Sequence, residues 1–368
     1  MPCEQVLIVG ASTRAAAFSA LRAGLSPWCL DLFADVDLQA RCPVQRIEGR
    51  YPDSLPNLLA TAPEAPWLYA GGLENHPALV DRLATLRPLW GNPGAVLRRV
   101  RDPGWLAGLW AALGVSCSAD QTAFLAKPLA GAGGHGIRFH RPGDLFDPRR
   151  EYLQPFLPGQ SASALYAVWP TGYRLLGATW QLIGLDWLHA GPFRYCGNIG
   201  PVSALPGLDT LGEHLVTAGL RGLVGVDGIL HRERFCPVEI NPRYTAALEV
   251  LEYATGLRSL QWHRQACLGQ CPDETIATGL QHDVVGKAIL YAAVELTFPD
   301  SGPWLGTEQR PIEELPDFAD LPRSGEVIPA GRPILTLLQR ACTVEQCVEQ
   351  LQQRARELTR WLNTAGGH

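Results

Sequence analysis

Two lysines stand against twenty-nine arginines in this chain, and one of the two, Lys127, directly precedes a glycine-rich loop, Pro128-Leu129-Ala130-Gly131-Ala132-Gly133-Gly134-His135-Gly136-Ile137. Where arginine has replaced lysine almost everywhere, a surviving lysine marks a place that suits a compact point charge and not a broad planar fork. A narrow site against a phosphate is such a place. Gly131, Gly133, Gly134 and Gly136 would let backbone N–H groups approach an anion with no side chain in the way. A second group lies far down the chain. Residues 225–230 and 235–243 read as two strands, and the four residues His231 to Arg234 between them suit a hairpin. Glu239 and Asn241 are two apart and share a sheet face, and the hairpin can bring Asp227 onto it. Two carboxylates and an amide oxygen are hard donors that suit Mg2+, which takes one or two protein carboxylates and completes its shell with phosphates. Val238 and Ile240 belong to the opposite face, so the acid-bearing face is expected to border a cleft.

Strands and helices must hold these groups. The first third alternates the two: strands at 6–9, 28–30, 44–47 and 67–69, helices at 13–23 and 77–86. That is the βαβ rhythm of a parallel, Rossmann-like sheet. Gly10-x-Ser12-x-x-Ala15, with Asp31 near the spacing of a ribose-binding acid, is a weakened dinucleotide fingerprint. It lacks the second glycine, the one a pyrophosphate approaches, and reads as a structural turn. A turn-rich stretch, Pro88 to Gly94, precedes a helix at 104–113, strands at 124–127 and 137–140 flanking the glycine loop, and more sheet at 151–156, 164–168 and 174–179. A helix near 211–220 leads into the hairpin. From about His282 the character changes: 299–333 is rich in Pro, Gly and acids, and 344–362 reads as a helix. The expected division is residues 1–95, 96–280 and 281–368, with a small C-terminal β-rich module and terminal helix, in an α/β and α+β chain.

The bulk numbers exclude several classes. With 46% hydrophobic and 18% charged residues, the 368-residue chain is globular and long enough for two or three domains. A net charge of −5 and a pI near 6.0, with scattered arginines, argue against nucleic-acid binding. No apolar run reaches the ~20 residues of a membrane span. The N-terminus lacks the basic flank and long apolar core of a signal peptide, so a cytoplasmic location is expected. Ten cysteines include no C-x-x-C pair, and Cys267 and Cys271 have no second ligand pair nearby, so free thiols are expected rather than zinc.

Lysine, glycine loop and Asp…Glu-x-Asn-Pro-Arg together resemble the ATP-grasp superfamily over roughly residues 90–270. The closest likeness is to carboligase-like proteins related to biotin carboxylase, carried by Lys127–Ile137, Gln154–Ser163, Gln181-Leu182-Ile183-Gly184, Phe193–Asn198, Gly225-Val226-Asp227 and Glu239–Arg243. The βαβ N-terminus is similar to the domain that precedes the ATP-grasp fold. The resemblance implies ATP and Mg2+. Lys127 would contact the α- and β-phosphates under a glycine lid. Gln154-Pro155-Phe156-Leu157 would hold adenine, and Asp227, Glu239 and Asn241 the metal. Arg243 would meet the γ-phosphate or an acyl phosphate; otherwise it would pair with Glu249 or Glu252 on the next helix. Three departures stand out. Gln154 replaces the acid common at the hinge, Gly225 replaces an arginine found in many peptide ligases, and the usual first lysine is missing, with Arg101 or Arg98 as its substitute. The implied activity is an ADP-forming ligase that joins a small-molecule carboxylate to an amine, with amide formation in methanofuran-type one-carbon cofactors as the nearest analogy. A bicarbonate-using carboxylase, a nicotinamide dehydrogenase and a non-catalytic ATP-binding regulator are the rivals. Gln181, Arg194, Tyr195 and Asn198 are the candidate substrate-pocket residues, and a homodimer is the expected oligomer.

Overall fold

The computed structural model describes residues 3–115, 123–203, 205–272 and 283–365. The change of character expected near His282 therefore falls outside the described residues. Strands β1 (Gln5–Gly10), β2 (Ser26–Asp31), β3 (Val44–Arg46) and β4 (Trp67–Tyr69) form a parallel sheet in the order β3-β2-β1-β4. Val6 to Val9 are fully buried, as an unbroken apolar strand requires when both sheet faces are covered. Helices α1 (Arg14–Arg22), α2 (Val36–Gln39) and α3 (Leu55–Thr61) connect the strands. Asp31 accepts hydrogen bonds from the Thr13 amide (2.6 Å) and hydroxyl (2.7 Å) and from the amides of Phe33 (2.8 Å) and Ala34 (2.7 Å). The acid that matched a ribose-binding position is thus spent on its own turns.

Helices α4 (Pro77–Ala84), α5 (Gly94–Val100) and α6 (Pro103–Ala112) lead into the second half. Asp102 caps α6 by accepting from the Trp105 amide at 2.8 Å, with Pro103 in the first turn. A three-stranded antiparallel sheet follows, in which β5 (Phe124–Pro128) lies between β6 (Arg138–His140) and β7 (Glu151–Pro155). The glycine loop spans β5 to β6.

An eight-stranded antiparallel sheet forms the centre. It takes in β8 (Gln160–Trp169), β9 (Gly172–Ile183), β10 (Tyr195–Gly200), β11 (Gly222–His231), β12 (Arg234–Asn241) and β13 (Val284–Tyr291). After the two-residue β14 (Leu296–Thr297) come β15 (Phe318–Ala319), β16 (Val327–Ile328) and β17 (Pro333–Ala341). The order across the sheet is β12-β11-β8-β9-β10-β13-β17-β15. The main strands of the C-terminal part therefore continue the central sheet, and only β14 and β16 stand apart as a ribbon. Helix α7 (Leu208–Thr217) covers one face and α8 (Ala246–Thr255) with α9 (Ser259–Cys267) the other. The alternation is visible in β8, where Ala164, Tyr166 and Val168 pack with Leu211 and Leu215 while Leu165 packs with Leu248 and Leu251. The terminal helix α10 (Val344–Ala365) buries Leu351, Ala355 and Leu358 against the β17 side.

In the β11–β12 hairpin His231 pairs with Arg234, so the turn is two residues rather than the four the sequence suggests. Arg232 and Glu233 both have positive φ, 48° and 61°, the backbone of a type I′ turn. Neither is the Asn or Gly that usually announces it.

Candidate active site

The hairpin brings the three oxygen donors together. Asp227 stands opposite Glu239, and Gly225 opposite Asn241, so all three side chains serve one face. Asn241 donates its Nδ2 to Asp227 at 2.9 Å, and Ser163 on the neighbouring β8 donates to Asp227 at 2.5 Å. Burial and then the charge of Glu239 push the Asp227 carboxyl up to about 6, outweighing those bonds. The trio borders a cavity of about 750 Å³, as the acid-bearing face was expected to do.

Lys127 forms one wall. It is 9% exposed, and its ammonium donates to Gln154 Oε1 (3.1 Å) and to the Val238 carbonyl (3.3 Å). Gln154 therefore turns its side chain to the lysine. Pro155, Phe156 and Leu157 line the same cavity. Phe156 gives its amide to the Ala123 carbonyl at 2.9 Å, so a nucleobase would be held by other groups of this segment. The glycine loop lies against the start of β10, with the Tyr195 amide donating to the Gly133 carbonyl at 3.1 Å. Gly134 has φ +75°, and a Cβ there would come within 1.8 Å of the Phe193 carbonyl oxygen. Its glycine is thus demanded by protein packing as well as by any anion. Gly133 and Gly134 line the cavity, and Gly131 lines a narrow cleft of about 50 Å³ beneath the loop, beside Arg101, Lys127 and Glu239. Gly136 packs on the Pro128 ring and lines neither space.

Of the two arginines offered for the missing lysine, Arg98 pairs at the surface with Asp81, whereas Arg101 reaches inward to Glu239 at 2.6 Å. Arg243 does not pair with the next helix. Its Nη2 and Nε lie 2.7 and 2.8 Å from Glu74 Oε1, on the turn after β4 of the N-terminal sheet, and Nη2 donates to Asn241 Oδ1 at 3.1 Å. The guanidinium lies beside Gly71, where a Cβ would stand 3.5 Å from it in ordinary contact. Glu249 is instead held by Arg14 and Lys287 at 2.7 Å each, and Glu252 by Arg22. Arg14 also reaches Asp320 at 2.7 Å, joining α1, α8, β13 and the segment after β15 in one buried network. Lys287 and Asp320 of this network line the far end of the cavity.

Gln181, Tyr195 and Asn198 line the cavity too. The Tyr195 hydroxyl donates to Asn198, whose Nδ2 donates to Thr179 at 2.9 Å, a fixed polar wall. Arg194 is not part of that wall and stacks over the Tyr291 ring, 5.7 Å from its centre. Sequence reasoning missed Glu74 and Lys287. The scarcity that singled out Lys127 applied equally to Lys287, the second of the two lysines. No local signal marked Glu74.

Among the described residues no three His, Cys, Asp or Glu side chains gather as a metal site. The donor set here is two carboxylates and one amide oxygen, which fits Mg2+ provided phosphates complete the shell. Burial first and the Glu239 charge second raise the Asp227 carboxyl, and a divalent cation bound there would oppose both effects. Among the described residues no helix is long and apolar enough to cross a membrane.

Residues 114–247 match the family model described as an ATP-grasp domain. A search among curated proteins found no match. The fold is similar to the biotin carboxylase domain of Hydrogenobacter thermophilus 2-oxoglutarate carboxylase, a dimer in complex with MgADP, ADP and bicarbonate, at a TM-score of 0.68, 14% identity, 95% of this chain and 88% of that one. It is similar to an L-amino acid ligase from Bacillus licheniformis, at a TM-score of 0.67, 13% identity, 96% of this chain and 97% of that one. It is also similar to phosphoribosylamine–glycine ligase from Thermotoga maritima, at a TM-score of 0.64, 16% identity, 97% of this chain and 96% of that one. Residues 114–247 thus match the ATP-grasp domain model, and the chain as a whole has the fold of the biotin carboxylase domain and the two ligases just described.

Proposed function

We propose that the protein is an ADP-forming ligase that activates a small-molecule carboxylate for attack by an amine. The observation that carries this reading is the placement of Asp227, Glu239 and Asn241 on one cavity wall, between buried Lys127 on one side and Gln181, Tyr195, Asn198 and Lys287 on the other. Lys127 would bind nucleotide phosphates, and its two protein acceptors keep it aimed before they arrive. Asp227, Glu239 and Asn241 would hold Mg2+, which would neutralise phosphate charge. Arg243, fixed by Glu74 beside Asn241, would face the oxygens on which charge builds as the γ-phosphoryl group passes from ATP to the carboxylate oxygen and ADP leaves. The amine nitrogen then bonds to the acyl carbon, inorganic phosphate leaves, and the nitrogen gives up a proton.

The cavity continues past the oxygen trio to Ala15, Ala16, Lys287 and Asp320, and that extra length supports substrates larger than bicarbonate. The same reading takes the protein to be cytoplasmic, where ATP and Mg2+ are held, and a homodimer. The test is ADP release by purified protein with Mg2+, ATP and pooled carboxylates and amines, methanofuran-type precursors among them, beside an arm with bicarbonate alone. Release that needs a carboxylate and an amine together is the expected result. Release with bicarbonate alone, or with no pool, overturns the reading.

A further inference from the structure

We infer that Arg101 is the counter-cation of Glu239 in the nucleotide-free protein, and that it must surrender this carboxylate when a nucleotide and its divalent cation enter. The inference rests on the ATP site proposed above. Arg101 sits in the joint between α5 and α6, its backbone fixed by the Asp102 cap that follows. Its side chain is 13% exposed and both terminal nitrogens are engaged: Nη1 donates to Glu239 Oε1 at 2.6 Å, while Nη2 donates to Asn75 Oδ1 at 2.6 Å and to the Gly131 carbonyl at 3.3 Å. One guanidinium therefore joins a metal-ligand candidate, the glycine loop and the N-terminal sheet's last turn. Among the described residues no other cationic side chain lies within 4 Å of Glu239.

Glu239 stands across the ladder from Asp227, so two carboxylates face one opening. A divalent cation there brings twice the charge of a guanidinium to the same oxygen and displaces it. The narrow cleft beneath the glycine loop offers the displaced group its destination, because Arg101, Lys127, Gly131 and Glu239 all line it. There Arg101 would stand beside Lys127 against nucleotide phosphates. The arrangement makes the free protein a poor binder of divalent cations, since Glu239 is already paired. It also makes nucleotide and cation help each other, because the phosphates receive the guanidinium that the cation expels.

Arg101→Ala and Arg101→Gln test this by titration calorimetry, with Mn2+ alone and with ATP in saturating Mg2+. Arg101→Gln keeps a side chain able to reach Asn75 and Gly131, and so guards against misfolding. In both variants Mn2+ alone should bind about fivefold tighter or more than in wild type. ATP with Mg2+ should bind about tenfold weaker or more, the loss expected for one charge-assisted phosphate contact. If either folded variant does not move the two affinities in opposite directions, the role of Arg101 is overturned. If wild type itself does not bind ATP with Mg2+, the ATP-site reading falls and this inference with it.

Discussion

Replacing Glu74 with glutamine removes one charge from a residue that no motif contains, and should disturb the site as much as changing a motif residue. Glu74 is 2% exposed, and one oxygen receives both Arg243 Nε and Nη2 at 2.8 and 2.7 Å. Its other oxygen accepts from the Gly72 amide at 2.8 Å. Glutamine has nearly the same volume but can accept at only one end. Either Arg243 or the Gly72 amide then meets an N–H group. Breaking a buried ion pair by removing one partner costs about 3–5 kcal/mol, and the surviving hydrogen bond together with the Asn241 contact reduces this to roughly 2–4 kcal/mol. Urea unfolding should show that loss. Acid sensitivity should change with it. Burial alone would raise the Glu74 carboxyl, but the Arg243 charge and hydrogen bond outweigh it and hold the carboxyl below its usual range. The stabilisation is therefore complete above the unfolded carboxyl value of about 4.3 and is lost as pH falls further. Wild type should lose this increment below about pH 4.3, whereas Glu74→Gln lacks it throughout. In an ADP-release assay kcat should fall on the order of 10²-fold, because Arg243 loses its anchor, while ATP affinity changes by less than about threefold. A Glu74→Gln protein with wild-type stability and wild-type kcat would refute the claim that this pair positions Arg243.

Three further outcomes follow from the same geometry. Lys127→Ala should weaken ATP binding in Mg2+ by about 10- to 100-fold by calorimetry, since each charge-assisted phosphate bond is worth about 1.5–3 kcal/mol. Glu239→Gln should abolish ADP release while leaving the melting temperature close to wild type, because this carboxylate is partly exposed, at 34% of its side chain, and the amide conserves volume. His263 is buried and neutral, its Nδ1 accepting from the Leu223 amide at 2.9 Å, and burial drives its value down to about 4. The unfolded chain therefore binds the proton first, and urea titrations should show stability falling as pH drops from about 6.5 toward 4, by on the order of 3 kcal/mol; a flat profile over that window would remove His263 as the cause.

Local chemistry made much of this protein legible in the sequence. The apolar run Val6–Val9, the glycine loop and the Glu-x-Asn spacing each express a short-range rule of period or backbone freedom, and the strands and the face shared by Asp227, Glu239 and Asn241 followed from it. The same rules read a helix at 104–113, where α6 runs from Pro103 to Ala112. Tertiary structure alone decided which charges meet. Arg243 had acids six and nine residues ahead on the following helix, yet its partner is Glu74, 169 residues away, because Glu249 and Glu252 turn to Arg14, Lys287 and Arg22. Arg101 rather than Arg98 enters the site because the end of α5 aims one inward and the other at Asp81. The hairpin turn at Arg232–Glu233 carries no glycine or asparagine, and the strength of the β11–β12 ladder imposes its positive φ angles. A sequence records the charge and reach of each side chain. Which opposite charge it finds depends on how several elements pack, since ion pairs have no period and burial fixes their partners only after the sheets have formed.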